Sequence, residues 1–268
     1  METTGRLHGK RIVVTRAAER AESLVAALRS QGAETLVCPT IAYAPPDDPE
    51  PLETALEQLD WYDWVIFTSA AAVDAFVSRH ALPLPVRVRV AVVGKATAAA
   101  IEAHGEWVDL LPRQQNAEGL LTELHDVAGK RFLLPVSDIA RDTLAVGLRE
   151  RGAAVDVVTA YRTVLGPGVG DLIDALCRRA VDVVVFSSPS TLRYLLDGME
   201  QFGIAHSVAR ALFTDVVLIA IGPTTAQTLR DEGLLVAAQA PDPGVEGVVA
   251  AVHQGLGIRS SSDEIGEN

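Results

Sequence analysis

Four short stretches of this chain gather hydroxyls, glycines and small side chains directly after an apolar run: "FTSAAA" (Phe67 to Ala72), "GKATA" (Gly94 to Ala98), "FSSPST" (Phe186 to Thr191) and "GPTTA" (Gly222 to Ala226). A fifth, "TRA" (Thr15 to Ala17), follows the first apolar run. Where such residues open a helix, backbone N–H groups point outward and small side chains let a ligand approach them, which suits carboxylates or phosphates. Each stretch taken singly is also what an ordinary helix cap looks like. Their recurrence in both halves of the chain favours ligand binding for the set. Two tyrosines, Tyr43 in "TIAY" and Tyr161 in "TAYRT", follow at related points. A phenol facing a cleft can donate a proton or steady a departing hydroxyl; packing a hinge is the alternative. Arg16, Lys95, Arg141, Arg162 and Arg193 lie in or near these loops and can pair with carboxylates, or be solvated surface charges.

Other chemistries lack their parts. "GKAT" ends like a phosphate-binding loop, but no glycine lies five residues before Gly94. No GxGxxG follows a strand, and neither "FSSPS" nor "FTSAA" is a GxSxG nucleophile elbow. Cys38 and Cys177 are far apart with no CxxC partner, so both are expected to be buried small hydrophobes, and the six histidines show no metal-ligand spacing. The sequence therefore predicts no metal and no cofactor.

The elements that carry these loops come twice. "GKRIVVTRAAERAESLVAALRSQGAETLVCPTIAY" from Gly9 and "GKRFLLPVSDIARDTLAVGLRERGAAVDVVTAY" from Gly129 both read strand, helix, strand, with Gly32 and Gly152 as helix stops. A second module follows each: "VIFTSAAAV", "RVAVVGKATAAAIEAHGEWVDLLP" and "NAEGLLTEL", then "VVFSSPSTL", "VLIAIGPTTAQTLRDEGLLVAAQAPDP" and "VEGVVAAV". Each of these reads as three strand-helix pairs, so the chain is a duplication. Near-continuous Val, Ile and Leu in the strands points to parallel sheets covered on both faces, and so to two doubly wound α/β domains of flavodoxin-like order. "CPTIAYAPPDDP" and "AYRTVLGPGVG" turn Pro/Gly-rich at equivalent points. If both are crossings, one domain is the middle of the chain and the other joins its ends, as a hinged pair around a cleft. The expected division is 8–40 plus 166–256 for the first domain and 44–160 for the second, with linkers at 39–46 and 160–168 and a disordered polar tail at 257–268.

Bulk composition narrows the partners. The chain has 268 residues, 49% of them apolar, enough for two ordinary cores. A formal net charge of −12 argues against nucleic acid, whose backbone is bound through Lys and Arg. No run is long and apolar enough to span a membrane, and "METTGRLHGKR" lacks the apolar core of a secretory signal, so the expectation is a cytoplasmic protein without nucleic-acid or membrane partners.

With "VVTRA", "DWVIFTSAAAV", "VAVVGKATAAAI", "AVDVVTAYRT", "VVVFSSPSTL" and "AIGPTTAQTL" in that order, the chain from Gly9 to about Leu256 resembles the uroporphyrinogen-III synthase family. The resemblance implies two flavodoxin-like domains joined by a two-stranded linker, with the loops of the two Phe-hydroxyl runs facing each other. It implies a cyclising hydro-lyase without cofactor, in haem and cobalamin biosynthesis. The linear tetrapyrrole hydroxymethylbilane loses its terminal hydroxyl to give an azafulvene. Ring D then attacks through its substituted position, and the resulting spiro intermediate breaks and recloses with that ring inverted. Without enzyme the chain closes uninverted, to the type I isomer. By the same resemblance Tyr161 assists departure of the hydroxyl, and the substrate-binding set is Thr15, Arg16, Ser69, Ala70, Lys95, Thr97, Ser188, Ser190, Thr224 and Thr225. The implied protein is a monomer whose partner is that small molecule, and a transient hand-over from hydroxymethylbilane synthase stays open. A non-catalytic tetrapyrrole or anionic-ligand sensor on the same scaffold is the alternative. The sequence departs from the family pattern at "LPVSDIARDTL", which keeps Arg141 but lacks the expected glycines, and at the alanines of "FTSAAAV". A polycarboxylate substrate and a negative protein are compatible where charges beyond roughly 8 Å are screened and aimed N–H groups act locally, which predicts an amide-lined site over an arginine-rich one.

Overall fold

The computed structural model describes residues 6–257; the polar tail expected at 257–268 lies, from residue 258 on, outside the described residues. The chain starts with β1 (Arg11–Val14), α1 (Ala18–Arg29), β2 (Glu34–Val37) and β3 (Ile41–Ala44). It continues through α2 (Glu50–Glu57), β4 (Trp64–Phe67), α3 (Ala70–Val77), β5 (Arg89–Val92), α4 (Lys95–Glu102), α5 (Ala117–Glu123), β6 (Arg131–Ser137), α6 (Thr143–Glu150) and β7 (Ala154–Leu165). The remainder is α7 (Val169–Cys177), β8 (Val183–Phe186), α8 (Pro189–Gln201), α9 (His206–Ala211), β9 (Val217–Ala220), α10 (Pro223–Asp231), β10 (Val236–Gln239) and α11 (Val245–Gly255). One unit holds residues up to Ala42 and from Val164 onward; the other is Tyr43–Thr163.

The unit built from the two ends of the chain has a sheet ordered β10-β9-β8-β1-β2, and every pairing in it is parallel. Its strands are apolar throughout because alternate residues serve two cores. Val13, Val184 and Phe186 pack into one, and Ile12, Val14, Val183 and Val185 into the other. The middle unit repeats the arrangement: its sheet is ordered β3-β7-β6-β4-β5, with Val65 and Phe67 on one side and Trp64 and Ile66 on the other. Both sheets have the doubly wound, flavodoxin-like α/β order, with the strands of the two modules joined in opposite sequence.

The register ties the repeats together. Arg11 pairs with Glu34 and Arg131 with Ala154, so β1 and β6 are counterparts, as are β8 and β4. Gly32 and Gly152 end the helices of the first module at φ +88 and +83, a left-handed conformation that strains any residue with a Cβ. The glycines of "LGPGVG" answer to close approach instead: a Cβ on Gly166 would sit 2.2 Å from the Pro39 carbonyl oxygen, and one on Gly168 2.5 Å from Cys38.

Three expectations are corrected. "VDLLP" forms no third strand in the middle unit; Leu110 makes a single parallel bridge to Ala91, where the other unit has all of β10. The strand expected to run to Tyr43 is two strands, β2 in one sheet and β3 in the other, because Pro39 interrupts the ladder. Cys177 is exposed at the last residue of α7, while Cys38 is buried, with burial and Asp171 pushing its thiol up to about 12. No helix of the described residues is long and apolar enough to cross a membrane.

Candidate active site

In doubly wound sheets the carboxyl ends of the strands, near the point where the chain reverses its winding direction, form the natural binding crevice. In the middle unit that point lies between β4 and β6. Ser69, the residue before α3, accepts a hydrogen bond from the Ala72 N–H at 3.2 Å and so caps the helix. The same oxygen lies 3.1 Å from the Tyr161 hydroxyl. Tyr161 sits on β7, two strands away, so its ring spans the end of β6 to reach the α3 loop. The ring is buried, 8% exposed, and Tyr43 meets it edge-on with centroids 5.0 Å apart at 83°. Behind it the Asp138 N–H donates to the Tyr161 carbonyl, and the Asp138 carboxylate accepts from the Thr163 N–H, which pins β7 to the end of β6. Tyr161 also lines a pocket of ≈ 260 Å³ with Tyr43, Ala44, Ala71, Ala75 and Arg79. Small side chains on α3 and β3 create that space. Ala70, at the first position of α3, is half-buried.

The loops of the other unit are built differently. Thr15 is completely buried: its hydroxyl donates to the Val185 carbonyl at 2.9 Å and accepts from the Ser187 N–H at 3.3 Å. It staples β1 to β8 with its one proton committed and its side chain fully buried. Arg16 continues the staple, donating from Nε to the Ser187 hydroxyl at 3.3 Å; burial and the neighbouring Arg20 lower its pKa. Ser188 caps α8 in a reciprocal box, accepting from the Thr191 N–H while the Thr191 hydroxyl accepts from the Ser188 N–H. Ser190 is half-buried in the first turn.

The two glycine loops contrast with the two serine loops. Gly94 and Gly222 cap α4 and α10 without a side chain. Over Gly222 a Cβ would meet nothing within 4 Å, and φ there is extended, so neither strain nor crowding calls for glycine. What glycine leaves is open space over the first turn. Thr224 is exposed beside it, whereas Thr225, and Thr97 at the matching place in α4, are buried at 3% and 4% and face inward. Lys95 is exposed, and its N–H donates to the Gln115 side-chain carbonyl at 3.1 Å. Gln115 was not legible as a site residue: it acts on Lys95 from twenty positions away, and no local spacing announces that. Arg141 and Arg193 are exposed, and Arg162 holds the Pro45 carbonyl and Asp47.

The fold and these loops define a class: a protein of two doubly wound parallel sheets whose strand-end loops offer amides and hydroxyls, with the buried Tyr161 beside a pocket of the middle unit. A family model described as "Uroporphyrinogen-III synthase HemD" matches residues 22–250. The chain is 32% identical over 256 residues to the uroporphyrinogen-III synthase of Synechococcus elongatus, covering 92% of this chain and 96% of that protein. The chain belongs to the uroporphyrinogen-III synthase family. Solved structures agree in fold. A mutant uroporphyrinogen III synthase from the extremely thermophilic bacterium Thermus thermophilus gives a TM-score of 0.65 at 22% identity over 93% of this chain and 99% of that one. The Helicobacter pylori uroporphyrinogen-III synthetase gives 0.54 at 18% over 91% and 98%.

Proposed function

We propose that this protein is the uroporphyrinogen-III synthase of tetrapyrrole biosynthesis, a cyclising hydro-lyase that closes hydroxymethylbilane with inversion of ring D and loss of water. Family membership over nearly the whole chain supports the reaction. The observation that carries the site reading is the hydroxyl pair of Tyr161 and Ser69, with Tyr161 lining a pocket.

Most of the task is orientation. A flexible linear tetrapyrrole has to be held so that the crowded carbon of ring D attacks before the unsubstituted one. A preorganised site can supply several powers of ten by that route alone. The substrate's carboxylates find a matching partner at the glycine-capped start of α10, where N–H groups and the helix dipole favour anions and the space is open; at α4 a carboxylate has to displace the Gln115 oxygen from the Lys95 N–H. Tyr161 acts where the reaction needs a proton. Its phenol, buried on one side and open to the pocket on the other, protonates the terminal hydroxyl as the carbon–oxygen bond breaks.

The test is a coupled assay in which hydroxymethylbilane is generated in situ, this protein is added, and the oxidised products are separated. Predominantly type III uroporphyrin is the expected outcome. Type I alone, from protein that circular dichroism shows to be folded, overturns the reading and leaves a ligand sensor on the same scaffold.

A further inference from the structure

The surroundings of Tyr161 give Ser69 a task other than touching substrate. Resting on the function above, we propose that Ser69 is a positioning residue that donates its own proton to the Tyr161 oxygen, leaving the phenol proton free to face the departing hydroxyl. The 3.1 Å separation alone allows either oxygen to be the donor. The polarisation of the Ser69 hydroxyl favours donation from serine. A serine hydroxyl has one proton and two lone pairs, and one lone pair already accepts the Ala72 N–H. That amide, together with the positive end of α3, draws density from the serine oxygen and makes its proton the better donor. If Tyr161 donated instead, its acidic proton would be spent inside the protein. The ring cannot swing to a third partner, because it is buried across the end of β6 and held edge-on by Tyr43.

The matching serine in the other unit shows that this is not a by-product of capping. Ser188 satisfies α8 through a closed box with Thr191, and the hydroxyl that approaches that loop, Thr40, donates to the Thr191 carbonyl at 2.7 Å. There the cap hydroxyl closes on its own helix. At Ser69 it is coupled to a titratable group.

The proton accounting closes. As the carbon–oxygen bond of the terminal hydroxymethyl group breaks, its electron pair leaves on oxygen, which takes the Tyr161 proton and departs as water. The ring nitrogen's lone pair compensates the carbon, giving the protonated azafulvene. The phenolate is held by the Ser69 O–H. When ring D forms the final carbon–carbon bond of the macrocycle, its attacking carbon releases a proton, and the phenolate takes it back. The sum is the loss of one water.

The experiment compares Ser69→Ala, Ser69→Asp and Ser69→Thr with Tyr161→Phe and the Ser69→Ala/Tyr161→Phe double variant, following type III formation and thermal melting together. Ser69→Ala is expected to lower kcat about 10- to 100-fold with KM little changed. Ser69→Asp caps α3 but cannot donate when ionised, so it should be at least as slow; Ser69→Thr, which keeps both bonds, should recover most of the rate. The double variant should be no slower than Tyr161→Phe alone. Losses that multiply in the double variant, or an aspartate variant as fast as wild type, overturn the proposal while type III formation by the wild type still stands. Wild-type protein yielding only type I removes the activity itself, and the proposal with it.

Discussion

The ends of β4 and β8 are equivalent places in a duplicated chain, and their hydroxyls are used in opposite ways. At β8 the hydroxyls close on their own unit: Thr15 staples β1 to β8, Ser188 and Thr191 box the start of α8, and Thr40 ties into the same turn. At β4 the capping serine passes its second interaction to Tyr161, which lines an open pocket. The same local sequence grammar has produced a closed hydrogen-bonded knot in one unit and a serine–tyrosine hydroxyl pair in the other. What separates them is the residue that the neighbouring strand delivers. Beside the β4 loop β7 delivers Tyr161, whose hydroxyl meets Ser69, whereas beside the β8 loop the chain after β2 delivers Thr40, whose hydroxyl is spent on the Thr191 carbonyl.

The sharpest break of this comparison is a pair of variants. Tyr161→Phe should lower kcat by about 10² to 10³ while costing at most about 1 kcal/mol of stability, because it removes one hydrogen bond and little volume. Thr40→Val should do the reverse, lowering unfolding free energy by about 1–2 kcal/mol in denaturant titrations through the lost buried bond to Thr191, with the rate retained. If the tyrosine variant instead loses stability at full rate, the two regions are alike after all.

A smaller effect sharpens the contrast between serine and glycine caps. Gly222→Asp puts a carboxylate where space is open and a helix N-terminus wants one. It should stabilise the protein by up to about 1 kcal/mol and raise KM roughly tenfold, since the new side chain takes the place proposed for a substrate carboxylate. Higher melting temperature with unchanged KM would remove α10 from the binding surface.

The smallest effect concerns a feature the two units share. At the amino ends of the sheets Asp63 accepts from the Arg131 N–H and from Lys130, and Asp182 accepts from the Arg11 N–H and side chain. Partial burial would by itself raise both pKa values, but these bonds and the adjacent cations outweigh it, so both lie below the ordinary carboxylate range. A carboxyl whose folded pKa is depressed adds stability above its unfolded value of roughly 4, and that contribution is lost as pH falls through the folded value. Acid unfolding should therefore begin below about pH 4, and Asp63→Asn with Asp182→Asn should flatten that limb equally in each unit. A loss confined to one variant would show that the latches are not equivalent.

Much of the fold was legible because it rests on local rules: buried strands read as unbroken Val and Ile, helices end at Gly32 and Gly152, and glycines at 166 and 168 mark a close return of the chain. The missing strand near Leu110 was not, since whether an apolar run completes a ladder depends on the partner edge and not on the run. The site divides in the same way. The sequence by itself determined which loops would open helices and which residue types they would display. Only the tertiary structure decided that Thr15 is spent as a staple, that Gln115 takes the Lys95 N–H, and that Ser69 meets Tyr161. The reason is that a hydroxyl's role is fixed by which partner consumes its single proton and its lone pairs. Those partners come from strands and loops far away in the chain, joined only when the sheet closes.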